Sequence, residues 1–144
     1  MANTVSSTWR AKEVLGKPNP AYPYIDFTWD TSHDELSSPL FDFPIRGNVI
    51  TFLINTEEVD TGTSATMTFK LKGAAKPNAA EFADIYTPSA IANNALDRKT
   101  PVLKYDFDVT TTPSYPYMKI TMDPSANIAN TKPIRVGVMS GAKT

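Results

Sequence analysis

The 144-residue chain predicts an all-β fold, an antiparallel β-sandwich of about seven strands. Three observations carry this prediction. Several segments alternate apolar and polar residues with period two, most cleanly from Ala65 to Lys72, where Ala65, Met67, Phe69 and Leu71 oppose Thr66, Thr68, Lys70 and Lys72. Successive strand side chains point to opposite faces, so such a segment buries one side and wets the other. Turn formers separate the segments at hairpin-like spacing. Helical periodicity is weak throughout, leaving room for at most one short helix.

The chain reads as organised around Asn48 to Lys72, one long β-hairpin. Its arms are NVITFLINTEEV and SATMTFKLK, and Asp60-Thr61-Gly62-Thr63 forms its loop, with Gly62 supplying the positive φ of a tight turn. Ahead of it, residues 1–20 read as an extended N-terminal arm and residues 21–144 as a single domain. In the arm, Trp9, Val14 and Leu15 are the large apolar groups. Residues 9–15 suit one or two helical turns ending at Gly16, too short to stand alone, and Lys17-Pro18-Asn19-Pro20 then forces extended backbone. The arm reads either as a frayed terminus or as a segment whose Trp9 docks on a neighbouring subunit or larger partner.

Tyr22 to Asp30 predicts a strand with Ile25, Phe27 and Trp29 inward, followed by a polar connection from Thr31 to Pro39. Leu40 to Arg46 alternates again, with Phe41, Phe43 and Ile45 inward; Pro44, which cannot donate to a ladder, places this strand at an edge or makes it irregular there. Gly47 turns into the hairpin. From Gly73 to Thr100 the alternation stops. Asn78 with Glu81 suits a helix start over Ala79 to Tyr86, although Phe82 to Tyr86 equally suits a short strand, and Thr87-Pro88 offers a second start. Pro101 to Thr111 returns to β pattern with Leu103, Tyr105, Phe107 and Val109 inward. Thr112-Pro113-Ser114 makes a turn, and Met118, Ile120 and Met122 continue inward. A loop over 123–133 leads to Ile134, Val136 and Val138. A jelly-roll-like or Ig-like sandwich fits this order; a small β-barrel fits the same alternation.

Composition excludes several function classes. Hydrophobic residues at 41% and charged residues at 20% suit a folded domain rather than global disorder. A net charge of −1 advertises neither nucleic acid nor anionic lipid, so neither a nucleic-acid nor a membrane partner is expected. With no cysteine, disulfides, thiolate metal sites and cysteine nucleophiles are absent. No stretch resembles a signal peptide or a membrane span, so synthesis and folding in a cytoplasm are expected.

No catalytic signature emerges. The single histidine, His33, lies in a polar loop with Asp30, Asp34 and Glu35, and D-T-S-H-D-E matches no spaced metal motif. Asp106 and Asp108 share a strand face and are glycosidase candidates by type alone, since exposed acids also serve solubility. No cofactor is expected. The remaining resource is aromatic: Tyr22, Tyr24, Tyr115 and Tyr117 lie beside stiffening prolines or opposite predicted core faces, and Trp9 lies in the arm. With Arg10, Val14 and Leu15 they form the expected partner-binding set.

In layout the chain resembles small β-sandwich virion proteins of tailed bacteriophages, the decoration (cement) or accessory capsid and tail class. A polar arm, MANTVSSTWRAKEVLGKPNP, precedes ITFLINTEEVDTGTSATMTFKLKGA, a variable excursion and SYPYMKITMDPSANIANTKPIRVGVMSG. The resemblance implies a non-enzymatic role in a virion: docking on the major capsid protein or another virion protein, often as a trimer, with the arm gripping the shell or a sister subunit. The rival from another class is a carbohydrate-binding or adhesin-like module that stacks exposed rings on sugars.

Overall fold

In a computed structural model, residues 3–14, 17–43, 45, 47–56, 59–61, 64–96, 102–108, 115–130 and 132–141 are described. In chain order the strands are β1 (Thr4–Val5), β2 (Arg10–Val14), β3 (Lys17–Thr28), β4 (Leu36–Ser37), β5 (Val49–Asn55), β6 (Val59–Asp60), β7 (Met67–Ala74) and β8 (Ala83–Tyr86). A helix of one turn, α1 (Asn93–Leu96), precedes β9 (Val102–Asp108), β10 (Tyr117–Pro124), β11 (Ala129–Asn130) and β12 (Ile134–Gly141). Two antiparallel sheets hold the longer strands. The larger runs β1-β3-β12-β5-β9, with β2 also on β3; the smaller runs β4-β10-β7-β8, and β6 with β11 makes a separate two-stranded pair. Among the described residues the sheets do not close into a barrel. The fold is the expected β-sandwich.

The core is the layer between the sheets. Ile25, Phe27 and Trp29 from β3 and the residue after it, Ile50, Phe52 and Ile54 from β5, and Ile134, Val136 and Val138 from β12 enter it from one side. Met67, Phe69 and Leu71 from β7, with Ile120 and Met122 from β10, enter from the other. The Phe52 and Phe69 rings meet edge to face at 4.9 Å, a geometry that the opposed charges of ring edge and ring face favour.

That contact also corrects the hairpin expectation. β5 pairs with β12 and β9, whereas β7 pairs with β10 and β8. The two arms face each other across the core instead of hydrogen-bonding side by side. Alternation specifies which face of a strand is buried but not which strand lies beside it. The connection crosses between sheets, anchored by buried Val59 and by β6 pairing with β11; Gly62 lies outside the described residues. Gly47, with φ of 76°, turns the chain into β5 as expected.

Between Leu40 and Arg46 the described residues are irregular, one of the two outcomes expected from Pro44. Phe41, Phe43 and Ile45 are half-buried against the core as foreseen, yet regular pairing falls earlier, at Leu36–Ser37, in the stretch read as a polar connection. Ser38 and Phe41 continue along β10 through backbone bonds to Ile120 and Met118. Pro44 and Arg46 lie outside the described residues. Of the two readings of Ala79–Tyr86, the strand forms. A helix of that length is marginal without tertiary support, and the free edge of β7 offers pairing to Ala83–Tyr86.

The segment expected to be an arm is an edge of the larger sheet in its described part. β1 pairs with the end of β3 and β2 with its beginning, and Ser6 N donates to Asp26 O. Asn3 ties the start to the 30–34 loop: its Oδ1 accepts from Asp30 N, and its Nδ2 donates to Ser32 Oγ and Asp34 Oδ2. Between the two strands the chain dips, and Trp9, only 8% exposed, enters the core. Its ring meets Phe41 at 5.2 Å and Phe43 at 5.0 Å, and its Nε1 donates to Pro39 O. Since Phe41 is bonded to β10, Trp9 bridges the edges of the two sheets and seals that side of the sandwich.

Asn130 does comparable work at one end. Its side chain accepts from Trp29 N at 2.7 Å and donates to the carbonyls of Phe27 and Lys132. These bonds satisfy backbone groups where β3 runs out of ladder.

On the opposite side, between β8 and β9, Tyr86 packs on Phe107 at 5.2 Å and Tyr105 stacks near Phe69 at 6.2 Å. Burial pushes both phenols above their ordinary pKa of 10.0, aided at Tyr86 by the charge of Asp106 and at Tyr105 by Tyr86.

Trp9→Ala should lower unfolding stability in denaturant titration by roughly 3–5 kcal/mol, with Trp9→Phe losing less; an unchanged midpoint would contradict the sealing role. Between the unfolded and folded tyrosine values the native chain binds more protons than the unfolded one. Stability from Tyr86 and Tyr105 is therefore complete below about pH 10 and is lost as pH rises through the folded values. Tyr105→Phe should flatten that alkaline loss, measured as denaturation midpoint against pH alongside phenolate absorbance.

Candidate docking face

The buried alternation of β3, β5 and β12 sends the intervening residues to the outer face of the larger sheet, and strand register arranges them in rows. The central row is Arg10–Tyr24–Gly137–Leu53–Lys104, running from β2 to β9. On one side lies Asp26–Arg135–Asn55, and on the other Met139–Thr51–Asp106.

Gly137 is the low point. A Cβ built there would rest in ordinary contact with the Leu53 and Pro23 carbonyl oxygens at 3.9 Å and Leu53 Cβ at 4.0 Å, and the glycine is partly buried between its neighbours. Glycine inside a strand costs stability relative to residues that pack, and often marks where another chain or ligand approaches the backbone closely. Tyr24 and Leu53 flank it across the sheet, with Met139 and Arg135 above and below along β12. The result is a shallow apolar trough with charged ends.

Its rim is pre-ordered. Arg135 Nε and Nη2 donate to Asp26 Oδ1 and Oδ2 at 2.8 and 3.0 Å, a bidentate pair. The guanidinium lies 3.9 Å from the Tyr24 ring centre. The hydrogen bond with Asp26 raises the Arg135 pKa further above its already high value, so this rim stays charged. At the other end Asp106 accepts from Thr51 Oγ1 at 2.6 Å and pairs with Lys104 at 3.5 Å. Tyr, Met and Arg over an apolar centre with a charged border is the composition of protein interfaces.

The outer face of the smaller sheet is more polar. A groove of about 500 Å³ is lined by Lys72, Glu81, Phe82, Asp84 and Lys119, with Lys119 Nζ 4.4 Å from the Phe82 ring centre. Asp84 bridges Lys70 and Lys72, and the bond from Lys70 holds its carboxyl below the ordinary range. Register places Tyr117, 37% exposed, one step along β10 from Lys119 on this face.

The expected partner-binding residues divide accordingly. Arg10 and Tyr24 come together on the docking face, and Tyr117 stands on the opposite sheet. Trp9 is consumed by its own core, which corrects its expected role as an exposed docking residue: an indole beside two phenylalanines buries more surface within the chain than a tail could. Tyr115 packs over Gly73, where a Cβ would come within 2.7 Å of it. Val14 and Tyr22 lie in β2 and β3 with side chains outside the described residues, and Leu15 is outside them altogether. Sequence reading missed Gly137, Leu53, Arg135 and Met139. The available signal was a glycine in an outward slot of an otherwise apolar-alternating strand, Ile134 to Val138.

His33 bonds Asn127 at 2.6 Å, and among the described residues no three His, Asp or Glu side chains are grouped to hold a metal. No protein-family model and no curated protein matches the chain. Among solved structures, the chain is similar to the CBM22-1 xylan-binding domain of Paenibacillus barcinonensis Xyn10C, at 10% identity and a TM-score of 0.45, over 98% of this chain and 88% of that one.

Proposed function

We propose that this chain is a non-enzymatic docking protein that grips another protein through the outer face of its larger sheet, and that this partner is a virion shell or tail protein. The observation that carries the docking reading is the glycine floor between Tyr24 and Leu53, with the neighbouring charges already paired into a rim. A side chain or extended segment of the partner can lie directly on the β12 backbone there. Rigid rims lower the ordering cost of association. The partner class follows from the resemblance of the chain's layout to tailed-phage decoration and accessory proteins.

Gly137→Val separates docking from folding. The added Cβ meets its surroundings at no less than 3.9 Å, ordinary contact, on a strand where valine is favoured, so stability should hold or rise. Rebinding to purified shells stripped of the protein should weaken at least about tenfold, as expected for filling the centre of an interface. Equal rebinding of variant and wild type would overturn the docking face; absence of the wild-type protein from purified particles would overturn the choice of partner.

The polar groove beside Tyr117 favours a second reading, a carbohydrate-binding β-sandwich, with acids and lysines to hydrogen-bond hydroxyls and one exposed ring to stack on. Tryptophan and tyrosine fluorescence titrated against a glycan panel should then show a saturable change that Tyr117→Ala abolishes. A flat response across the panel counts against it.

A further inference from the structure

We infer that two copies of this chain join edge to edge, β9 against β9 in antiparallel register about a two-fold axis at Tyr105. The inference does not depend on the docking reading. β9 ends the larger sheet, and among the described residues no strand pairs with its other side. It spans seven residues, Val102–Asp108, and contains neither proline nor glycine. Such an edge presents unpaired backbone groups to any strand that can match it.

The strand's own chemistry selects the match. Centred on Tyr105, a two-fold pairing places Lys104 opposite Asp106 of the second copy and Asp106 opposite Lys104, two attractive cross-strand pairs on the outer face. Centred one residue earlier, Lys104 meets Lys104; one residue later, Asp106 meets Asp106. Like charges directly opposite are destabilising. Registers between these bring outward residues opposite inward ones and are excluded by the pleat. Only one symmetric register is therefore complementary in both charge and face.

The inner face gives a second, independent indication. On the β9 side Leu103 and Tyr105 are only partly buried although they point toward the core layer. In the proposed register Leu103 lies opposite Phe107 of the second copy, and Tyr105 opposite Tyr105, so each copy covers the apolar edge of the other. A two-fold contact of this kind is self-complementary and closes at two copies. It also merges the two outer faces into one continuous surface.

The test is charge reversal with rescue, read by sedimentation equilibrium. Lys104 and Asp106 side chains are 63% and 52% exposed, so either reversal leaves the fold intact, which circular dichroism checks. Lys104→Asp alone and Asp106→Lys alone should each weaken dimerisation about tenfold or more, since two attractive pairs become two repulsive ones. The double variant K104D/D106K should restore wild-type affinity. In the wild type, amide exchange over Val102–Asp108 should slow as protein concentration rises. A wild-type chain that stays monomeric with concentration-independent exchange overturns the inference, and so does a dimer indifferent to the single reversals or not rescued by the double.

Discussion

Everything in this molecule depends on keeping water out of one layer of side chains between two sheets. The contact of Phe52 with Phe69 shows how thin that layer is: one ring from each sheet spans it. A sandwich protects its core above and below with backbone ladders but leaves its sides open, so the sides must be filled by something other than strands. Here one side is closed by three aromatic rings drawn from two distant stretches, Trp9 from the N-terminal region and Phe41 with Phe43 from the loop running along β10. At one end Asn130 supplies the polar counterpart, meeting backbone groups that the ladder abandons.

This constraint explains how the sequence could be read well at one level and poorly at another. The inward sets at Ile25-Phe27-Trp29, Met67-Phe69-Leu71 and Ile134-Val136-Val138 are buried as their alternation demanded. Alternation is a local property enforced by the pleat, so it survives in any fold that buries one face. Pairing is not local. The chain from β5 to β7 carries every mark of a hairpin, yet its arms belong to opposite sheets, because buried Val59 and the short β6–β11 pair redirect it. Trp9 was legible as too large for a loose tail, but its destination depended on Phe41 and Phe43, about thirty residues away in sequence.

The docking face was the least legible part. Tyrosines draw attention in a sequence; an outward glycine does not, and the meaning of Gly137 comes only from having Tyr24 on one side and Leu53 on the other. Arg135 likewise reads as an ordinary exposed charge until register sets it against Asp26 and over Tyr24. The trough is a property of three strands brought together, each of which is unremarkable alone.

The position of β12 bears on how the chain comes to be folded. It lies between β3 and β5, so before Ile134–Gly141 arrives the larger sheet consists of two detached fragments with raw inner margins. Each fragment lays part of its inner face on the smaller sheet, β5 and β9 through Phe52 and Tyr105 against Phe69, but the two stay unjoined until β12 arrives. Completing the larger sheet therefore depends on contacts between stretches far apart in the chain, which slows folding.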